Sequence, residues 1–137
     1  MLLLNAIAIV ESAGKPVAGD HGAAQGMFQM HRAAWQDVYD RFGAPGKKPH
    51  LDVGEKFMDI AGTDPLSMTR AQNAATGYVV ILTDDLTRAN VKLTPANICA
   101  CWEIGFEGFR RRHFNLKECP VTTRKAAARV SLLAAQP

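Results

Sequence analysis

Glu11 closes the apolar run Leu2–Val10, and Ser12 and a segment punctuated by Gly14, Pro16, Gly19, Gly22 and Gly26 follow it. A carboxyl at the end of an apolar helix, beside a glycine-rich loop, is partly desolvated. Desolvation raises its pKa and keeps it protonated near neutral pH, the state a general acid needs. The plainer alternative is a solvated glutamate at a helix terminus. Other chemistry has less to build on. Cys99, Cys101, Cys119 and the 4 histidines form neither a CxxC pair nor an HExxH helix, so no metal and no cofactor are expected. Cys99 and Cys101 point to different sides of a helix and cannot bridge each other; reduced core thiols are expected. Arg110, Arg111, Arg112 and His113 make a basic run close to Phe106, Phe109 and Phe114. Such interleaving can hold phosphates and stack bases, but a short arginine run in a loop is more simply a solvated face able to attract anionic polymer.

Helices must position these residues. Leu2–Val10 is interrupted only by Asn5 and reads as a buried central helix. Residues 11–26 read as a loop. From Met27 the apolar positions Met27, Met30, Ala34 and Val38 recur at three and four, predicting a second helix that ends near Gly43. The stretch from Gly43 to Gly54, with Pro45, Pro49, Lys47 and Lys48, is a polar connection suited to border a cleft, and a short helical turn is expected between Glu55 and Ile60. Asp64 before Pro65 starts the longest helix, with Ala71, Ala75, Tyr78, Leu82, Leu86 and Ala89 on one stripe. Thr94 before Pro95 repeats that start signal for a helix through Ile98 and Trp102 that stops at Gly105. The segment from Gly105 to Pro120 reads as irregular. Thr122 or Thr123 is expected to cap a last helix with Ala126, Val130 and Leu133 inward. The one competing strand pattern, Tyr78 to Leu82, is overruled by the helical period around it, so the expected class is all-α.

The 137 residues suit one domain over 1–137. With 47% hydrophobic and 21% charged residues, the composition excludes a largely disordered or collagen-like chain. Met1–Val10 lacks a basic n-region and a small-residue cleavage site, so no signal peptide is expected. No apolar stretch is long enough to span a bilayer, so no membrane insertion is expected. The net charge of +3 favours an anionic partner without naming one.

Glu11-Ser12-Ala13-Gly14-Lys15, then Gly19-Asp20-His21-Gly22, then Gly26-Met27-Phe28-Gln29 resembles, in order and spacing, the goose-type lysozymes and soluble lytic transglycosylases. The segment Ala100-Cys101-Trp102-Glu103-Ile104-Gly105 resembles their Ala-Ala-Tyr-Asn-Ala-Gly segment. The resemblance covers Ala6–Trp35 well and Leu66–Gly105 loosely. It implies a lysozyme-like helical domain with a substrate cleft. The implied activity is cleavage of the β-1,4 bond between N-acetylmuramic acid and N-acetylglucosamine in peptidoglycan, with Glu11 protonating the glycosidic oxygen. Gln29 would line the sugar floor with Ser12 nearby, and Trp102 and Glu103 would stand for the tyrosine and asparagine of the opposite wall. Tyr78 would reach the cleft from the long helix; the plainer alternatives are core packing for Tyr78 and for Trp102 and a solvated helix-end carboxylate for Glu103.

Asp20 matches the aspartate that places the attacking water in goose-type lysozymes; a turn aspartate bonding its own backbone is the other reading. Lytic transglycosylases lack that base and let the muramyl 6-hydroxyl attack, leaving an anhydro end. The second goose-type aspartate falls on His31, a substrate contact, a base or a surface histidine. Glu103 in place of asparagine would add like charge near Glu11. The resemblance therefore implies peptidoglycan glycan strands as partner, on the bacterial cell wall, with no nucleic acid, and a chain acting as a monomer or as part of a larger assembly. The alternative keeps the scaffold as a glycan-binding or structural component of a phage or secretion assembly, with catalysis lost.

Overall fold

Asp64 accepts hydrogen bonds from the backbone N and hydroxyl of Ser67, at 3.2 and 2.7 Å, and so starts the longest helix. The computed structural model describes all residues from Met1 to Pro137. Its elements are α1 (Leu3–Ser12), β1 (Ala24–Gln25), β2 (Met30–His31), α2 (Arg32–Val38, continued by a π turn Tyr39–Gly43), α3 (Pro65–Arg88), α4 (Pro95–Arg111) and α5 (Val121–Ala134). A 3-10 turn at Phe57–Ile60 lies where a helical turn was expected, held by backbone bonds from Glu55 and Lys56 to the Asp59 carboxylate at 2.8 and 3.0 Å. The class is all-α, with one two-residue strand pair. No helix is long and apolar enough to cross a membrane.

Backbone contacts group the chain into two units, Glu11–Val79 and a second made of Met1–Val10 with Val80–Pro137. The core of the first holds Phe28, Met30, Trp35, Val38, Phe42, Val53, Phe57 and Ile60. Trp35 donates its indole N–H to the Val53 carbonyl at 2.9 Å and stacks on Tyr39 with centroids 5.2 Å apart. That bond lets a polar ring edge sit in an apolar core at little cost.

In the second unit α5 packs on α4, and Leu82, Leu86, Cys99, Cys101, Phe109 and Val130 are almost wholly enclosed. Thr94 caps α4 by accepting from the Asn97 backbone at 3.1 Å, with Pro95 in the first turn, as its sequence predicts. The three cysteines are buried and form no disulfide. Burial first, then the Asp85 charge, pushes the Cys101 thiol up to about 12.

Four expectations need correction. The helix expected from Met27 begins only at Arg32, because Ala24–Gln25 and Met30–His31 pair as strands across the intervening turn. Met27 and Met30 keep helical spacing but belong to a hairpin. The run Leu2–Val10 is not buried all round: Ala6, Ile7 and Ala8 are enclosed, whereas Leu2 is 75% exposed. Gly105 breaks α4, with φ 75° and ψ 158°, but helix resumes through Arg111 because Phe109 is fully buried there. The arginines thus lie at a helix end rather than in a loop, with Arg110 on Glu107 at 2.6 Å and Arg112 on the Gly108 carbonyl at 2.9 Å. Finally, neither threonine caps α5. Pro120 precedes it without a side-chain cap, and Thr123 is inside the helix and 2% exposed.

Candidate functional site: the Glu11 helix end and its hairpin

Ser12, the last residue of α1, donates its hydroxyl to the Met27 carbonyl at 2.6 Å and fastens the helix end to the Gly26–Gln29 turn. Ala13 and Gly14, at φ 55° and 78°, then turn the chain off the helix axis through the left-handed region. Glu11 is half-buried, and its Oε1 is withdrawn from solvent.

The hairpin that receives Ser12 is built from glycine-flanked turns. Gly19 and Ala24 exchange backbone hydrogen bonds at 2.9 and 3.0 Å and enclose the 3-10 turn Asp20–Gly22. Ala24 then pairs with His31, and Gln25 with Met30, in antiparallel register. The connecting turn closes with the Gln29 N–H on the Gly26 carbonyl at 3.1 Å. Asp20, His21 and Gln29 all take left-handed φ, at 50°, 56° and 49°. For residues with a Cβ this costs on the order of 1–2 kcal/mol each.

Gln29 is a strut within this loop. Its carboxamide nitrogen donates to the carbonyls of Val17 and Gly26 at 2.8 and 2.9 Å. A Cβ on Gly19 would collide with its Oε1, so only glycine leaves room for the amide. The register also decides what Asp20 meets. Because Gly19 and His31 both pair with Ala24, the Asp20 carboxylate reaches the His31 ring, Oδ2 to Nε2, at 2.9 Å. Both side chains remain open to water, Asp20 at 69% and His31 at 51%.

Glu11, Ser12, Asp20, Gln29 and His31 therefore belong to one unit, linked through the Ser12–Met27 bond and the short strand pair. Tyr78 lies half-buried in α3 of the same unit. Trp102 and Glu103 lie on α4 in the other unit, Trp102 only 9% exposed and Glu103 half-buried. Trp102 is thus placed as a core side chain, with little ring face for a sugar. No three histidine, cysteine, aspartate or glutamate side chains gather as a metal site.

Two features were not read from the sequence. The Asp20–His31 pairing could have been found only by reading the glycine-bounded segments as a hairpin. The second is a cavity of about 310 Å³ lined by Gly43, Gly46, His50, Asp52 and Gly54 of the connection expected to border a cleft, and by Arg70 of α3. There the Gly54 N–H, and then the Arg70 guanidinium at 3.1 Å, hold the Asp52 carboxyl below the usual carboxylate range. No family model, no curated protein and no solved structure matches the chain.

Proposed function

We propose that this chain cleaves peptidoglycan glycan strands at the β-1,4 bond between N-acetylmuramic acid and N-acetylglucosamine, on a lysozyme-like helical fold, with Glu11 as general acid. The observation that carries the reading is the setting of Glu11. Its Oε1 is withdrawn from solvent at the end of an apolar helix, and the next residue ties that helix end to a structured hairpin at 2.6 Å. Withdrawing a carboxyl oxygen from water favours the protonated carboxyl over the carboxylate, and a fixed helix end gives the proton a fixed direction.

In the proposed reaction Glu11 donates its proton to the bridging oxygen as the C1–O bond breaks through an oxocarbenium-like transition state. Water or the muramyl 6-hydroxyl completes the cleavage. The hairpin supports substrate binding by being rigid: Gln29 and Ser12 spend their donors on backbone carbonyls and hold the floor beneath the scissile bond. The enzyme acts on the bacterial cell wall. Glu11→Gln preserves the side-chain volume and removes the titrating proton. It is expected to lower the release of glycan fragments at least a hundredfold, the ordinary scale of general acid catalysis. A Glu11→Gln protein that clears a wall suspension at the parent rate overturns the reading.

A further inference from the structure

We propose that His31, oriented by Asp20, is the base that takes the proton of the attacking water, with Asp20 a positioning residue behind it. This rests on the reading of Glu11 as the acid. The geometry is that of a base held by a carboxylate: Asp20 Oδ2 lies 2.9 Å from His31 Nε2. In the neutral ring only the protonated nitrogen can donate to a carboxylate, so the Asp20 contact selects the tautomer with hydrogen on Nε2 and the lone pair on Nδ1. The ring is 51% exposed, so that nitrogen can meet water.

Stability does not account for the arrangement. A solvent-exposed histidine–carboxylate contact contributes about 0–1 kcal/mol. The backbone that presents it carries Asp20, His21 and Gln29 in the left-handed region, at a cost on the order of 1–2 kcal/mol for each residue. The strain exceeds what the pair returns, and the surrounding bonds hold it in place: the Gly19–Ala24 exchange on one side of the turn, Gln29 to Val17 and Gly26 on the other. Backbone strain maintained by its surroundings is a feature of functional sites. His31 also stands four residues beyond Met27, the residue to which Ser12 fastens the Glu11 helix end.

The step balances. The water oxygen attacks C1 of the muramyl residue and its proton passes to His31 Nδ1. The C1–O bond to the glucosaminyl O4 breaks, and O4 takes the proton of Glu11. Histidinium and glutamate remain, and solvent returns the proton from one to the other. A single displacement inverts the anomeric centre and leaves a reducing end.

The test is cleavage of purified peptidoglycan in water enriched in oxygen-18, with products resolved by mass. The parent is expected to release reducing ends carrying the label. His31→Gln keeps an N–H for Asp20 but has no basic nitrogen, and should release labelled ends about a hundredfold more slowly with its melting temperature unchanged. Asp20→Asn should fall between the two. Imidazole added to His31→Ala should restore labelled ends, which a merely structural role would not permit. Labelled ends at the parent rate from His31→Gln, failure of imidazole to restore them, or a parent that makes only anhydro ends overturns the base while leaving Glu11 in place. A parent that releases no glycan fragments overturns the acid, and the base with it.

Discussion

Ala13, Asp20, His21 and Gln29 take positive φ in the unit Glu11–Val79, and Asn90, His113 and Phe114 do so in the unit of Met1–Val10 with Val80–Pro137. The two sets differ in position. Asn90 follows the end of α3, and His113 and Phe114 follow the end of α4. Helices commonly end that way, because a left-handed residue redirects the chain and satisfies the last carbonyls. Ala13 serves the same purpose after α1. Asp20, His21 and Gln29 lie at no helix end; they sit in the turns of a hairpin, around the Asp20–His31 pair. Where the backbone is regular the side chains build a core of thiols, aliphatics and Phe109. Where it is strained, polar side chains are fixed in place by backbone carbonyls.

The comparison predicts that substitutions in the hairpin, and at the α1 end fastened to it, damage activity, and that those in the unit of Met1–Val10 with Val80–Pro137 damage only stability. The largest effect is Glu11→Gln, at least a hundredfold in fragment release with an unchanged far-UV spectrum. Next is Gly19→Ala. The added methyl meets Gln29 Oε1 and is expected to cost about 1–3 kcal/mol and to disorder the Asp20 turn. Calorimetry and a turbidity assay should both register it. Gly105→Ala sharpens the contrast. Nothing lies within 4 Å of its new Cβ, so only the backbone resists: φ 75° with ψ 158° is a conformation essentially confined to glycine, and alanine there costs about 1–3 kcal/mol. Melting should fall and cleavage persist. If Gly105→Ala abolished cleavage as Gly19→Ala is expected to, the division of labour would be wrong.

Smaller effects follow from titration. The Cys101 thiol, pushed up to about 12 by burial and by the Asp85 charge, is a poor nucleophile at pH 8. Alkylation of the native protein should leave it unmodified until denaturant is added. Reductant should change neither melting nor activity, since the three cysteines form no disulfide. In the other unit, backbone bonds from Glu55 and Lys56 hold the Asp59 carboxyl below its ordinary value. A group whose pKa is lower folded than unfolded stabilises above its unfolded value, about 3.9, and loses that contribution as pH falls through the folded value. Acid should therefore weaken the Phe57–Ile60 turn. Asp59→Asn should flatten the dependence of melting temperature on pH below about 4, and an unchanged slope would remove Asp59 from the account.

Much of the helical framework was legible in the sequence because helix starts have local chemistry. Asp64-Pro65 and Thr94-Pro95 each combine a cap with a proline in the first turn, and both helices begin there. The hairpin was not legible. Its strands are two residues long and alternate nothing, while Met27, Met30, Ala34 and Val38 imitate a helical stripe. What pairs the strands is glycine conformation and two backbone exchanges, which hydrophobic period does not report. The residues of the site were legible as residue types, through Glu11-Ser12 and the glycine-flanked Asp20. Their connection was not, since the Asp20–His31 contact depends on register. Trp102 shows the opposite limit: a residue type suited to stacking on sugars lies where α4 needs apolar volume.

Mass analysis of what the parent protein releases from purified peptidoglycan tests the central claim most directly. The account predicts soluble muropeptides cut between N-acetylmuramic acid and N-acetylglucosamine, ending in a reducing or a 1,6-anhydro muramyl residue. A wall left intact, or fragments cut in the peptide with glycan strands whole, would contradict it.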